Sequence, residues 1–230
     1  MTLLSKRLQA VYQMVDNNTR VADIGSDHAY LPVELIEQKV SSYAIAGEVA
    51  VGPMSRSKED VDKFGLSDKI DVRLGDGLAV IKASDKIDTV TIAGMGGILI
   101  QNILAHATTE QLQNVSTLVL QPNIGEPLVR HWLADNDFEI VDEDIVEEDH
   151  HVYEIIKAKK VTTKVTLTEP EFLMGPVLMQ KKTPTFVSKW EHKLNGYQKA
   201  TKNMLNAKKI DQEKIAEMNQ NIKYIEEILR

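Results

Sequence analysis

The chain has 230 residues, 43% of them hydrophobic, with a formal net charge of −7 and no cysteine. This length suffices for one full-sized domain with an appendage, and the lack of cysteine excludes disulfides, thiolate metal sites and thiol nucleophiles. No apolar run is long enough to cross a bilayer, and charges interrupt the start where a signal peptide needs a continuous apolar segment. We therefore expect a soluble, cytoplasmic protein without a membrane partner.

The first 160 residues alternate strand-like and helical segments. Residues 4–15 predict an amphipathic helix from their apolar spacing. The predicted strands that follow are 20–24, 43–48, 69–74, 87–93 and 116–120. The predicted helices are 30–39, 53–64, 97–106 and 126–135. Because short links between alternating strands and helices require parallel pairing, this pattern predicts a doubly wound α/β domain with helices on both faces of the sheet.

Two further extended segments, 138–146 and 151–158, follow without a helix between them. They predict an antiparallel hairpin that closes the sheet at its edge, which gives a mostly parallel sheet of seven strands. The hairpin turn contains an acidic run followed by His150 and His151. We interpret this run as an exposed turn and expect no metal site.

Beyond residue 160 the pattern changes. Residues 161–168 are β-branched and polar, as is typical of a linker. Apolar residues then recur three or four apart from about 184 and again from 215, with a lysine-rich stretch near 206–212 between the two runs. This pattern predicts a coiled-coil-like hairpin of two antiparallel α-helices. We therefore expect a ligand-binding domain over 1–160 and a helical domain over 161–230.

Charge is distributed unevenly between these two parts. Residues 161–230 carry 12 Lys and Arg against 8 Asp and Glu, whereas residues 1–160 carry 15 against 26. A lysine run is often only a solvated helix face, but beside an acidic body a basic tail is the natural contact for a polyanion such as RNA. The candidate RNA contacts are Lys6, Arg7, Lys181, Lys182, Lys189, Lys193, Lys199, Lys202, Lys208 and Lys209.

The stretch VADIGSDHAYLP, residues 21–32, follows the first predicted strand, where open parallel sheets bind ligands. A dinucleotide site needs G-x-G-x-x-G there, but only Gly25 is present, and Asp27 and His28 stand where small residues are wanted. A carboxylate would repel a pyrophosphate and attract a cation. This favours S-adenosylmethionine, which carries a sulfonium and an amino group and no phosphate. Asp23 and Asp27 are the expected acceptors for that amino group, directly or through water.

Three other strand ends agree with an adenosyl ligand. Glu48 closes the second strand, where an acid can accept both ribose hydroxyls, although it also suits NAD. Asp76 stands between Gly75 and Gly77 after the third strand and can accept from an adenine amine. The run AGMGG, residues 93–97, follows the fourth strand and leaves room for a substrate to meet the methyl donor. Each signal is weak alone, and their succession at strand ends is what favours this ligand.

The motifs DIGSDHAYLP, GEV, GDGL, AGMGG and LQPN, in this order, resemble those of the bacterial tRNA (adenine(22)-N1)-methyltransferase family. The resemblance covers almost the whole chain and implies a Rossmann-like class I methyltransferase domain that uses S-adenosylmethionine and acts on tRNA. It implies these cofactor-binding residues: Gly25, Asp27, His28, Glu48, Asp76, Gly77, Gly94, Met95, Gly96 and Gly97. Enzymes of the wider amino-methylating class carry Asn/Asp-Pro-Pro-aromatic after the fourth strand, whereas this chain has Gln121-Pro122-Asn123 after the fifth.

Adenine N1 carries a lone pair, so methylation there needs no strong base, and catalysis should depend on in-line placement with a polar group that holds the exocyclic amine. Asp27 is the first candidate for that group, with Asn123 and Gln121 as alternatives. Tyr30 is a candidate to stack or hydrogen-bond at the entrance, although the start of a helix also suits a core residue. His28 is expected to hydrogen-bond within the loop.

Two other functions compete with this interpretation. The first is an NAD-dependent oxidoreductase, against which the missing phosphate-binding glycines count. The second is a non-catalytic nucleic-acid-binding module on a methyltransferase-like fold, against which the acids at 27, 48 and 76 count. We expect a monomer or weak dimer that needs no metal.

Overall fold

The structure is a computed structural model that describes residues 4–206 and 211–230. The chain divides into two compact units, Met1–Thr166 and Leu167–Arg230. Two of the predicted RNA contacts, Lys208 and Lys209, lie outside the described residues.

The first unit contains a seven-stranded sheet. Its strands are β1 Thr19–Ile24, β2 Ser41–Glu48, β3 Ile70–Leu74, β4 Thr89–Met95, β5 Thr117–Pro122, β6 Phe138–Glu148 and β7 His151–Lys160. Their spatial order is β3-β2-β1-β4-β5-β7-β6. Strands β1 to β5 pair in parallel, and β7 pairs antiparallel with both β5 and β6. The predicted doubly wound, mostly parallel sheet with a closing antiparallel hairpin is confirmed.

Helices cover the sheet as the alternating pattern predicts. They are α1 Lys6–Met14, α2 Tyr30–Glu37, α3 Val51–Lys63, α4 Gly97–Ala105 and α5 Glu126–Asp135, with short 3-10 helices at Gly77–Val80 and Ala83–Asp85. One buried cluster joins α1 and α2 to β1, β5 and β7. Another joins α2 and α3 to β2 and β3. Burial of apolar side chains from both helices and strands fixes α1 over the sheet, close to the strands that carry the site.

Strands β4 and β5 extend farther than predicted. Gly94 and Met95 were expected after the fourth strand and are its last residues, and Gln121 and Pro122 were expected after the fifth strand and belong to it. The pairing of β4 with β5 continues past an irregularity between Ala93 and Met95. The side chain of Gln121 is fully buried, and its oxygen accepts two hydrogen bonds from within the protein. Because its polar group is satisfied, β5 can continue through a polar residue.

A buried ion cluster ties α5 to the hairpin. Arg130 Nε donates to Glu143 Oε1 at 2.8 Å, and its Nη2 donates to Glu154 Oε2 at 2.5 Å. All three side chains are at most 1% exposed. Burial opposes the charge on Arg130, but the charges of Glu154 and Glu143 outweigh it and raise the pKa of the guanidinium. The cluster therefore holds one helix and two strands together, and removal of one member would leave buried charge uncompensated.

The second unit is helical. Its helices are α6 Glu169–Met174, α7 Pro176–Lys181, α8 Pro184–Leu205 and α9 Gln212–Leu229. Helix α8 begins after Thr183, whose hydroxyl accepts from the Phe186 N–H at 3.3 Å. Phe186, Trp190 and Ile225 are buried, and α8 packs on α9, so the predicted helical hairpin is confirmed. Among the residues that the structure describes, no helix combines the length and apolarity needed to span a membrane.

Candidate active site

The predicted cofactor residues lie at the carboxyl edge of the parallel part of the sheet. Strand order reverses between β1 and β4, and open α/β sheets bind ligands in the crevice at such a point. The turns after β1, β2 and β3 and the end of β4 are neighbours there. The structure therefore brings together the four predicted segments: residues 23–28, Glu48, residues 75–77 and residues 94–97.

The turn after β1 has an uncommon backbone. Gly25 has a φ of 71°, and Asp27, His28 and Ala29 have φ values of 39°, 61° and 54°. Left-handed values are rare for residues other than glycine, and each costs on the order of 1 kcal/mol. The surrounding structure holds the turn in this form, beginning with the Gly25 N–H, which donates to Gly47 O at 2.8 Å.

Glu48 also stabilises this turn through hydrogen bonds. Its Oε1 accepts from the backbone N–H of Asp27 at 2.8 Å and from the Ser57 hydroxyl at 3.5 Å. Glu48 is 6% exposed, and burial raises its pKa although the Asp27 N–H opposes the rise. The Ser26 N–H donates to Gly47 O at 3.2 Å, as does that of Gly25. Three successive amides of the turn therefore donate within the protein rather than toward a ligand.

Asp23 lies beneath the turn as a buried carboxyl group, 4% exposed. Its Oδ2 accepts from the Ser26 hydroxyl at 2.7 Å, and its Oδ1 accepts from the Thr91 hydroxyl at 2.6 Å. Burial raises the pKa of Asp23 to about 6; the two hydroxyl donors oppose this rise, and the charge of Glu48 adds to it. Both oxygens thus hold neighbouring elements, and a contact between Asp23 and a cofactor stays a prediction.

His28 and Tyr30 form the outer side of the turn. Their ring centroids are 5.2 Å apart with planes 10° from parallel, and Tyr30 is 37% exposed. The alternative of a core role for Tyr30 is wrong, because Tyr30 is the first residue of α2 and stacks on the turn, whereas residues 31–36 are buried. His28 Nδ1 lies 2.8 Å from Asp60 Oδ2 on α3, so its partner is outside the loop. Lys63 and His28 lower the pKa of Asp60.

The turn after β3 borders a cavity of about 270 Å³. Its wall includes Asp76, Gly77 and Leu78 from the turn and Leu99 and Ile103 from α4. Asp76 is exposed, and Gly77 has a φ of 51° and packs so closely that a Cβ there would lie 3.0 Å from Ile103 Cγ2. The wall combines apolar side chains with this carboxylate and three further polar side chains from α4 and the segment after it, which suits a purine ring that bears an amino group.

The small residues at the end of β4 allow two backbone segments to touch. The Gly97 N–H donates to Ile124 O at 2.8 Å, and a Cβ on Gly97 would overlap the carbonyl oxygen of Gly125. A Cβ on Gly25 would likewise overlap the methyl group of Met95. Backbone packing therefore requires glycine at position 97, whereas at position 25 the Met95 side chain could move and it is the left-handed φ of 71° that favours glycine.

Arg7 lies in this site, although the sequence indicated only a contact with RNA. Its Nη1 donates to Oε1 of the fully buried Gln121 at 2.7 Å. Asn123 is exposed, and its Nδ2 donates to Gly94 O at 2.8 Å. The sequence placed Gln121 and Asn123 beside the crevice and Arg7 near it as an RNA contact, but it did not predict that Arg7 binds Gln121, because no local pattern indicates a contact across 114 positions. The role of Arg7 toward RNA stays a prediction.

The other predicted RNA contacts are mostly surface residues. Exposed side chains are those of Lys6, Lys181, Lys182, Lys193, Lys199 and Lys202. Lys189 is half-buried, and its ammonium lies 5.7 Å from the centroid of the Trp190 ring. Their exposure suits contact with a polyanion, and the contact itself stays a prediction.

The acid-rich connection between β6 and β7 is an exposed turn, as predicted. Asp149 and His150 have left-handed φ values of 49° and 63°, and His151 Nδ1 lies 2.8 Å from Asp149 O. Across residues 4–206 and 211–230, no three His, Asp or Glu side chains converge in a way that would hold a metal ion.

The fold and this edge define a Rossmann-like class I methyltransferase domain, with carboxylates rather than phosphate-binding glycines after the first strands. The chain belongs to the tRNA (adenine(22)-N(1))-methyltransferase family, whose family model matches residues 21–227. The resemblance inferred from the five motifs is confirmed.

Individual relatives match over nearly their full length. A tRNA (adenine(22)-N(1))-methyltransferase of Bacillus subtilis (strain 168) is 38% identical over 232 residues, which cover 98% of this chain and 97% of the relative. A structure from Listeria monocytogenes serotype 4b is 42% identical with a TM-score of 0.95, covering 99% of this chain and 100% of that one. Streptococcus pneumoniae Sp1610 in complex with S-adenosyl-L-methionine is 38% identical with a TM-score of 0.89 and the same coverage.

Proposed function

We propose that this protein is an S-adenosylmethionine-dependent methyltransferase that methylates N1 of adenosine 22 in tRNA. The observation that carries the proposal is the turn after β1. Amides that would hold a phosphate in a dinucleotide enzyme donate instead to Gly47 and Glu48, beside the exposed carboxylate of Asp27. Family membership and the named activity of the B. subtilis relative support the nucleotide and the ring position.

The residues at this edge fit the proposed cofactor. Glu48 would accept from the ribose hydroxyls, and Asp76 would accept from the adenine amine while Gly77 permits close approach. Asp27 would accept from the amino group, and the glycines at 94–97 would face the methyl group. The bound cofactor supplies a methyl group on a positively charged sulfur, which three carboxylates at one rim attract and a phosphate-binding loop would not.

Catalysis should depend on placement of the substrate base. Because adenine N1 has a lone pair, no residue has to remove a proton from it first. Asp27 would hold the exocyclic amine and favour the positive charge that develops on the ring. Asn123 is the exposed alternative for this contact, whereas the buried Gln121 would act through its neighbours. Tyr30, exposed and stacked on His28, would form a platform at the entrance.

The helical unit would supply contacts to the tRNA backbone. Lys193, Lys199 and Lys202 are exposed on α8, and phosphates attract such side chains without regard to sequence. We thus propose that the residues up to about 160 bind the cofactor and the target base, and that residues 161–230 contact the tRNA backbone. A tRNA substrate also implies a cytoplasmic location.

Incubation of the full chain with methyl-labelled S-adenosylmethionine and tRNA transcripts tests the function. We expect label in a transcript with adenosine at position 22 and none in the same transcript with guanosine there, and nucleoside mapping should recover 1-methyladenosine. Calorimetry with NAD is the control for the competing oxidoreductase. Tight binding of NAD without binding of S-adenosylmethionine would refute the proposal, and binding of the cofactor without methylation of any tRNA would favour a non-catalytic module.

Asp27→Asn tests the role of the rim carboxylate. Asparagine tolerates the left-handed φ of 39° and removes only the charge, so the turn should persist. We expect kcat to fall on the order of 100-fold and the Kd for the cofactor to rise by less, on the order of 10-fold, because the amide oxygen can still accept from the cofactor's amino group. Asp68→Asn, at an exposed position before β3, is the matched control. Near-normal turnover of Asp27→Asn would contradict the assignment.

A further inference from the structure

The side chain of Gln121 is the centre of a hydrogen-bond network at the end of β4. Its Oε1 accepts from two donors, Arg7 Nη1 at 2.7 Å and the backbone N–H of Gly94 at 2.9 Å. Its Nε2 donates to Asn123 Oδ1 at 3.2 Å. Because Gln121 is fully buried, each of these bonds replaces one that water would otherwise make.

The network fixes both peptide groups of Gly94. The N–H is held by Gln121, and the carbonyl oxygen accepts from Asn123 Nδ2 at 2.8 Å. The Asn123 N–H in turn donates to Met95 O at 2.7 Å. Gly94 has a φ of 80° and interrupts the regular pairing of β4 with β5. The conformation at the start of the glycine-rich floor is therefore set by the orientation of one buried amide.

Arg7 and the Gly94 N–H together determine the orientation of the Gln121 side-chain amide. A guanidinium has donors and no acceptor, so it requires the oxygen of Gln121 on its side, and the nitrogen then faces Asn123. A reversed amide would place three donors against one another. The guanidinium is held from its other side by the Tyr153 ring, whose centroid lies 5.7 Å from Arg7 Cζ. Helix α1, β5 and β7 thus meet at this side chain.

We propose that Arg7 is a positioning residue for methyl transfer, which acts through Gln121 to hold the turn at Gly94, rather than a contact for a tRNA phosphate. The proposal rests on the function proposed above. Without the guanidinium, the Gln121 oxygen would accept from one donor instead of two. The turn at Gly94 would then no longer be held in one conformation, and the reacting atoms would lose their alignment. Small displacements at a reacting centre cost up to about 100-fold in rate.

Arg7→Met keeps the side chain's apolar stem and removes its charge and donors. We expect kcat to fall by about 10- to 100-fold, with the Kd values for S-adenosylmethionine and tRNA within about twofold of the unaltered protein. Arg7→Lys retains a positively charged donor group that can reach Gln121, and it should recover most of the rate. Lys69→Met, at an exposed position before β3 on the opposite edge of the sheet, is the matched control for loss of one positive charge.

Salt dependence separates positioning from phosphate binding. A phosphate contact would reduce the slope of log K for tRNA against log salt by about 1 in Arg7→Met, with kcat retained at saturating tRNA. That result would overturn the proposal. We expect the slope to be unchanged.

Coupling to Gln121 is tested by a double-mutant cycle. If Arg7 acts through Gln121, the loss in kcat caused by Arg7→Met should largely disappear in a Gln121→Met background, whereas additive losses would overturn the proposal. Hydrogen exchange at the Gly94 amide provides a readout that needs no substrate, and it should be faster in Arg7→Met than in Lys69→Met. An unaltered protein that fails to methylate tRNA would refute the proposed function, while unchanged Gly94 exchange would refute the coupling itself.

Discussion

Asp23→Asn should change how the stability of the sheet-bearing unit depends on pH. Asp23 is buried in β1, where its two oxygens accept from the hydroxyls of Ser26 and Thr91. Asparagine has almost the same shape, and a hydroxyl can accept as well as donate, so both hydrogen bonds can persist after the substitution. The change therefore removes a buried ionisable group with little change in packing.

The sign and size follow from the pKa of Asp23, which is about 6 in the folded protein against an ordinary value of 3.8. Between these values the folded chain holds a proton that the unfolded chain has released, so the free energy of unfolding falls as pH rises. Above the folded pKa this loss reaches about 3 kcal/mol. Because the variant lacks the group, its stability relative to the unaltered protein should rise by roughly 2–3 kcal/mol between about pH 4 and about pH 7.5.

Urea unfolding of the full chain across this pH range measures the difference. A Trp190→Phe background leaves Trp132, on α5 in the sheet-bearing unit, as the fluorescent reporter. Asp68→Asn, at an exposed position, controls for loss of a carboxylate from the surface. A stability difference that stays constant with pH, or that grows as pH falls, would refute the reasoning. Direct titration of the Asp23 carboxyl by carbon-13 NMR should place its midpoint near 6.

Arg130→Met should lower the free energy of unfolding by about 3–5 kcal/mol, because two buried glutamates lose the guanidinium between them. Adding Glu143→Gln and Glu154→Gln should recover much of that loss in urea unfolding; no recovery would show that the ion cluster is not the cause. Gly97→Ala should lower stability by about 1–3 kcal/mol and impair methylation, because its Cβ would overlap the Gly125 carbonyl. Gly196→Ala, where a Cβ would meet nothing within 4 Å, is the matched control and should gain about 0.5–1 kcal/mol, so equal effects of the two changes would contradict the packing argument. Combined Lys193→Gln, Lys199→Gln and Lys202→Gln should weaken tRNA binding and reduce its salt slope by about 2–3 without changing the Kd for the cofactor. An unchanged slope would remove α8 from the tRNA surface.

The parallel pairing of the strands and the location of the site could be predicted because they depend on short-range regularities. Parallel strands follow from alternation with helices, and the carboxyl edge follows from parallel pairing. Glu48 and residues 75–77 therefore fell at the expected strand ends. The errors came where a polar or small residue stayed within a strand. The predicted fifth strand stopped before Gln121 because a polar residue usually marks a strand end. The buried partners that allow Gln121 to remain within β5 come from distant parts of the sequence and cannot be read from the local pattern.

The remaining gaps in the prediction are contacts between distant segments. Arg7 donates a hydrogen bond to Gln121, and the backbone N–H of Asp27 donates one to Glu48. No periodic pattern in the sequence indicates either pair. The exposure of Tyr30 likewise depends on the left-handed turn before it, which places its ring on His28 instead of in the core. Such contacts arise from the packing of elements after they form, so a pattern within one element cannot indicate them.

The place of β7 in the sheet sets a requirement on biosynthesis. The last strand of the first unit inserts between β5 and β6, and it carries Glu154, one of the two anions around Arg130. In a nascent chain that ends before His151, one edge of β5 would be unpaired and Arg130 would lack its ion pair with Glu154. The first unit can thus complete its sheet only after the ribosome has released residues through about 160, although every proposed cofactor ligand was made some sixty residues earlier.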